Sequence, residues 1–466
     1  MKKTKLIGLI ISLLPLISIF IVPGSEALSS AGVAAICVLA TTLLLLLTEA
    51  LPMMISCFFG LTLMIVFKAV PTPNAAFTGF GNSAVWFVLI SFGISYAISS
   101  TNIPKRLLVS IMGLFGKKIN SIIFAIMLCN VVLAIFVSNV AATILFMTVC
   151  FSFLNVYDNE EDKRRTGRTL MITLPIASIL GGMLTPAGSS LNLLCLGFLE
   201  DLTGLRVTFL QWMIIAVPIV IVLIPVVWKI IVTVNKPAEI SPEKLDEFVN
   251  SIRVTGKLTF QEKYIMVVLI GMITCWILGS WFPVFNITVV AAVGLTLMFL
   301  PDIFGVQIIS PEGLVKEISW PAIMLVGSII SVGNILVESG ATTWFVATLM
   351  PASLSLPPFA IVSIVALIVF VMLIIIPVAP ALISVLAAPL VGLAAAVGVS
   401  PVLLIMTMAM TVCNCYMLPL DTVPLITYVK GYYKKSELAK TAVWIQLIIV
   451  VLVTIWLPVI IKLLKL

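Results

Sequence analysis

Apolar runs separated by short polar stretches repeat along the whole chain. They fall at roughly 6–22, 31–48, 51–67, 84–101, 120–136, 140–155, 169–197, 207–228, 264–281, 285–301, 319–337, 356–376, 381–397, 401–428 and 441–461. Most approach the ~20 residues that carry a helix across a bilayer. The pair 120–136 and 140–155 is shorter, at ~24 Å per arm for a rise of 1.5 Å per residue. Between these two arms the chain reads FVSNVAAT, Phe136 to Thr143, with Ser138 and Asn139 interrupting an otherwise apolar stretch. Three other runs are broken in a similar way, at Thr185 to Asn192 (TPAGSSLN), Pro377 to Pro380 (PVAP) and Pro419 to Thr422 (PLDT).

Composition agrees with this pattern. The chain is 62% hydrophobic and 10% charged, whereas soluble domains carry about a quarter charged residues. This predicts a polytopic membrane protein. The apolar stretch after MKKTKL is read as a retained first helix, because PGSEALSS is a poor cleavage site. The eight cysteines all lie in apolar runs and form no metal-type pair, so they read as small buried hydrophobes. There is no histidine, which removes the commonest metal ligand and near-neutral proton shuttle.

The basic residues sort the runs by side. With the N-terminus in the cytoplasm, the segments 102–119, 156–168, 229–263, 302–318 and 429–440 all fall inside. This leaves only Lys68, Arg206, Lys462 and Lys465 of the 26 Lys and Arg outside, as the positive-inside rule expects. The net charge of +7 therefore needs no nucleic-acid partner. Both ends of 120–155 lie on the same side, so the chain enters the membrane and returns, as two spans or as a re-entrant hairpin. The short arms favour a hairpin with Ser138 and Asn139 at its tip. Segment 356–397 makes the opposite excursion from the outside, broken at Pro377–Pro380.

The two halves match at a shift of about 238 residues, which sets VSNVAAT on IIPVAPA. Further along, Pro186 to Asn192 resembles Pro419 to Leu425. Repeats of opposite orientation with broken helices are a transporter signature. The expected fold is all-α, with about eleven transmembrane helices, two re-entrant hairpins and an inverted repeat.

Each break starts a half-helix whose free N–H groups and dipole favour an anion. Ser138, Asn139, Ser189, Ser190 and Thr422 add hydroxyl and amide groups. Carbonyls at helix ends and the Asn139 side-chain oxygen suit Na+. A satisfied helix–helix hydrogen bond also accounts for Ser138-Asn139, and a kinked helix for TPAGSSLN. Two acids lie at membrane depth. Glu49 reads as an interfacial, structural residue, and Asp421 as a cation or proton site.

These residues carry a family resemblance. TEALPMM (Thr48 to Met54), SNV (Ser138 to Val140), GGMLTPAGSSLN (Gly181 to Asn192) and MLPLDTVP (Met417 to Pro424) occur in order. They resemble the motifs of the divalent anion/sodium symporter family, which carries dicarboxylates, citrate and sometimes sulfate. The resemblance implies a homodimer in which a transport domain slides like an elevator on a fixed scaffold. It places scaffold helices at 1–119 and 264–355, transport-domain parts at 120–233 and 356–466, and a cytoplasmic linker at 234–263. It implies substrate contacts at Ser138, Asn139, Val140, Ser189, Ser190 and Thr422 and at the second tip, Pro377, Val378 and Ala379. It implies a first sodium site at Ser138, Asn139 and Gly188.

This chain departs from the family pattern at the second tip, where Pro377-Val378-Ala379 replaces a Ser-Asn-Thr motif. It also carries Leu425 in place of an asparagine and Val140 in place of a threonine. The expectation is a plasma-membrane transporter of C4/C5 dicarboxylates that works as an exchanger with weak or absent Na+ coupling. No cofactor beyond Na+ is expected. Na+- or H+-coupled symport, a channel and an intramembrane enzyme are the alternatives. The missing H-E-x-x-H motif and Ser–base pair weigh against the enzyme.

Overall fold

The computed structural model describes residues 2–115, 118–253, 256–341, 344, 348, 356–376 and 378–466. The regular elements among them are all helical. We number helices of seven residues or more with described ends. The first half contains α1 (Lys2–Leu13), α2 (Ser30–Thr48), α3 (Met53–Val66), α4 (Ser83–Ser99), α5 (Ile103–Phe115), α6 (Ile119–Leu133), α7 (Asn139–Leu154), α8 (Glu160–Met183), α9 (Ser190–Thr203) and α10 (Phe209–Asn235). After these come α11 (Pro242–Ile252), α12 (Phe260–Leu278), α13 (Ile287–Phe299), α14 (Pro311–Glu317) and α15 (Trp320–Glu338). The last are α16 (Pro358–Ile375), α17 (Ala379–Val397), α18 (Pro401–Val412), α19 (Thr422–Tyr428) and α20 (Lys435–Leu463).

Among the described residues, seven helices are long and apolar enough to cross a membrane alone: α2, α10, α12, α15, α16, α17 and α20. The sequence pattern points to about eleven. The others are short (α3, α13) or split by a break (α8 with α9, α18 with α19). Local sequence sets the helix starts. Thr208 with Gln211 and Thr259 with Glu262 form capping boxes that begin α10 and α12, each pairing two otherwise orphaned N–H groups.

Two cytoplasmic-reading segments turn out to be helices whose apolar faces find partners. α5 bends 65° from α4 and buries Leu108 and Met112. α11 buries Leu245, Phe248 and Ile252, with the Phe248 ring edge-on to Phe153 at 4.9 Å.

The halves pack reciprocally. α8 lies against its own hairpin, α6 and α7, and α18 lies against its own hairpin, α16 and α17. α9 crosses to the other half and packs on α17, while α19 crosses back and packs on α7. α10 and α20 pack on each other. This exchange is what a two-fold relation between the halves requires. A separate apolar cluster joins α2, α3 and α15 through Val38, Leu61, Met64 and Ile335. Six cysteines are buried, Cys37 and Cys275 are half-buried, and none forms a disulfide. Glu49 is exposed and caps α2 in the left-handed region.

Candidate functional site

The breaks occur where the apolar runs carry polar or proline residues, with adjusted limits. The first hairpin turns over 134–138. α8 ends at Met183 and α9 starts at Ser190, so Ser190 and Asn192 are helical. The second broken helix stays non-helical from 413 to 421, longer than the Pro419–Thr422 reading. In the second hairpin α16 ends at Ile375 and α17 starts at Ala379, and Pro377 lies outside the described residues.

Four half-helices therefore start at these breaks. Ser138 caps α7, its Oγ accepting from Ala141 N at 3.3 Å. Ser189 caps α9, accepting from Leu191 N at 3.3 Å. Asp421 caps α19, accepting from Val423 N at 3.2 Å. Val378 precedes α17 with no side-chain cap, and Pro380 brings no N–H of its own. Both serine hydroxyls keep their protons free to donate to an anion while the oxygen serves the helix.

The first hairpin tip and the first break are one cluster. Asn130 Nδ2 donates to Leu174 O at 2.9 Å. Thr143 and Ser178 share a hydroxyl contact at 2.8 Å, and these bonds fasten the hairpin to α8. At the tip, a Cβ placed on Gly182 would lie 2.6 Å from Asn139 Oδ1. A Cβ on Gly188 would lie 2.6 Å from Gly182 O. Asn139 and Gly188 thus both lie against Gly182, and Ser138 precedes Asn139 as the cap of α7. Asn139 Oδ1 is buried with no hydrogen-bond partner among the described residues. A buried oxygen without a protein partner is open to a water or to a cation that takes oxygen ligands. Val140, Ser189 and Ser190 are half-buried beside this cluster, Ala379 is buried, Val378 is half-buried and Thr422 is exposed.

Sequence reasoning missed the residues that close the breaks. Asn192 is fully buried and donates from Nδ2 to Gly182 O and Thr185 O, each at 2.8 Å. Trp212 donates to Met183 O at 3.0 Å. Cys413 donates to Asn192 Oδ1 at 3.2 Å, which joins the two breaks. An asparagine seven residues past the first threonine of TPAGSSLN was visible; its partners were not.

The family model described as the sodium:sulfate symporter transmembrane region matches residues 3–464. The chain belongs to this family. It is the divalent anion/sodium symporter family that the four motifs resemble. The protein is thus a multi-pass membrane transporter and not an enzyme. Among similar proteins of the family is the "Sodium-dependent dicarboxylate transporter SdcS" of Staphylococcus saprophyticus, 25% identical over 96% of this chain and 90% of that protein. The protein of the same name from Staphylococcus aureus strain USA300 is 24% identical over 87% and 82%. A solved structure, the YdaH transporter of Alcanivorax borkumensis, aligns with TM-score 0.50 at 14% identity, covering 83% of this chain and 86% of that one. At that identity it bears on the fold alone.

Proposed function

We propose that this symporter-family protein carries C4/C5 dicarboxylates of the succinate, malate, fumarate and 2-oxoglutarate class across the plasma membrane, with its N-terminus in the cytoplasm. The relatives named as dicarboxylate transporters support the substrate class. The substrate contacts are Ser138, Asn139, Val140, Ser189, Ser190 and Thr422, together with the second tip at 377–379. Helix N-termini and hydroxyls hold both carboxylates, with no fixed cation, so the substrate is released readily.

The mode we propose is exchange with weak Na+ coupling. The observation that carries it is the asymmetry of the tips. The first presents Ser138 and the unpartnered Asn139 Oδ1; the second presents Val378 and Ala379, which have no side-chain oxygen. One cation at Ser138, Asn139 and Gly188 is supported, and a second full set is not. The homologues' printed sodium dependence favours a second reading, Na+-coupled symport through that first site. Asp421 at the second break favours a proton-linked variant of it.

In the proposed movement, 120–233 and 356–466 slide together against a scaffold of 1–119 and 264–355 within a homodimer. The reciprocal packing of α9 on α17 and α19 on α7 supports treating these two parts as one moving body.

Purified protein in liposomes loaded with unlabelled succinate tests the mode. Counterflow of labelled succinate without Na+ is expected. Uptake that requires an inward Na+ gradient, with no counterflow, would establish symport instead. An Asp421→Asn variant with unchanged pH dependence would remove the proton version.

A further inference from the structure

The internal repeat that sets Pro186 on Pro419 also sets Asn192 on Leu425. In the first break Asn192 closes two carbonyls at the end of α8 and Trp212 closes a third. Leu425 has no donor with which to do the same. The second break still has carbonyls to satisfy, because α18 ends at Val412 and the chain runs non-helical to Asp421. A buried carbonyl without a partner is strongly disfavoured, most of all at membrane depth.

We infer that Asn414 and Gln446 are positioning residues of the second break, doing there what Asn192 and Trp212 do in the first. Asn414 is fully buried and donates from Nδ2 to Met410 O at 2.8 Å, one turn back into α18. The same amide reaches Met183 Sδ at 3.5 Å, at the end of α8. Its own carbonyl accepts from Gln446 Nε2 at 3.0 Å. Gln446 is 4% exposed and stands on α20, which packs against α10, the helix that carries Trp212. The shift that aligns the two prolines brings Trp212 onto Ile445, one residue before Gln446. Each break is thus closed by one asparagine amide and by one N–H donor from the second helix after it.

A second observation bears on why an amide is kept. Asn414 Oδ1 is buried and has no partner among the described residues. A leucine would avoid that unsatisfied oxygen, so the value of the side chain lies in its N–H donors. The effect on transport is indirect. Asn414 and Gln446 hold the segment 413–421, which sets Asp421 and the start of α19, where Thr422 waits for substrate. This role rests on the dicarboxylate reading for its functional readout.

The test uses the full-length Asn414→Leu and Gln446→Leu variants, each near in size to the residue replaced, reconstituted in liposomes. The KM for labelled succinate is expected to rise at least fivefold in each, with Vmax per folded protein within threefold and the melting temperature lowered by the loss of one buried hydrogen bond. The double variant is expected to be no worse than the weaker single variant, since the two act on one segment. Amide hydrogen exchange is expected to accelerate over 413–421 and to stay unchanged over 185–192. KM values within twofold of the parent in both folded variants would overturn the inference. Should the parent protein itself carry no dicarboxylate, the functional reading falls. The exchange pattern then decides the positioning role alone, and unaltered exchange at 413–421 in Gln446→Leu would end it.

Discussion

Asn139 and Gly182 touch across a gap that only a glycine leaves, with a Cβ at 182 falling 2.6 Å from Asn139 Oδ1 and 2.9 Å from its Nδ2. The amide at the hairpin tip is thereby held against the end of α8, its oxygen turned to no donor among the described residues. An added methyl must displace it. Gly182→Ala is expected to lower succinate uptake at least tenfold and to weaken any Na+ stimulation. The fold should lose ~1–3 kcal/mol, the usual cost of overpacking. Uptake at varied Na+, beside a thermal melt, checks this. Full activity would show that the amide's position is immaterial.

Phe198 and Gly333 make a different contact. Phe198 lies on α9, within the proposed moving part, and Gly333 on α15, within the scaffold. A Cβ at 333 would meet Phe198 Cε1 at 2.4 Å and Cζ at 2.6 Å, so the buried ring fills a notch in α15. Small residues let membrane helices approach this closely. If the parts slide, the ring leaves the notch in each cycle. Gly333→Ala is expected to change Vmax several-fold while the KM stays within twofold. Initial rates over a range of succinate concentrations separate the two. A raised KM with unchanged Vmax would tie the notch to the binding site instead.

Tyr433 sits in the connection between α19 and α20. Its hydroxyl donates to Pro424 O at 3.0 Å and lies 3.0 Å from Thr427 Oγ1. Burial pushes the phenol up to about 12, against the Thr427 hydrogen bond that lowers it. In the unfolded chain it titrates near ~10, so the folded state holds the proton more tightly. The resulting stability is complete below ~10 and is lost as pH rises toward the folded value. Tyr433→Phe is expected to cost ~0.5–1.5 kcal/mol at neutral pH and to flatten the decline above pH ~10. Melting temperatures of both proteins from pH 7 to 11 measure the difference.

The sidedness of the first hairpin is open to direct measurement. Lys118 precedes α6 and Glu160 begins α8. In a background freed of native cysteines, Lys118→Cys and Glu160→Cys are expected to react with an impermeant maleimide only once the cytoplasmic face is opened. Reaction of one from each side would require α6 and α7 to cross the membrane an odd number of times.

Much of this architecture was legible in the chain. Runs of apolar residues at membrane length demand helices, because lipid offers no partner for a backbone group. Ser138-Asn139 and the Pro and Gly residues of TPAGSSLN marked breaks for the same reason, since polar and non-helical backbone survives at that depth only inside protein. The helices α5 and α11 did not show. The charges of 102–119 read as a cytoplasmic segment and those of 234–263 as a cytoplasmic linker, and the apolar face of α11 counts only where Phe248 meets Phe153. Nor does arm length settle the second hairpin, whose helices of 18 and 19 residues are each long enough to span.

The sequence by itself determined which apolar runs are helical and where they break, because hydrophobic run length and proline are local properties. Only the tertiary structure decided who completes the failures. Asn192 reaches ten residues back to Gly182, Gln446 reaches 32 back to Asn414, and Cys413 pairs with Asn192 across 221. A hydrogen bond depends on atoms meeting within about 3 Å, and separation along the chain says nothing about that until the helices have packed.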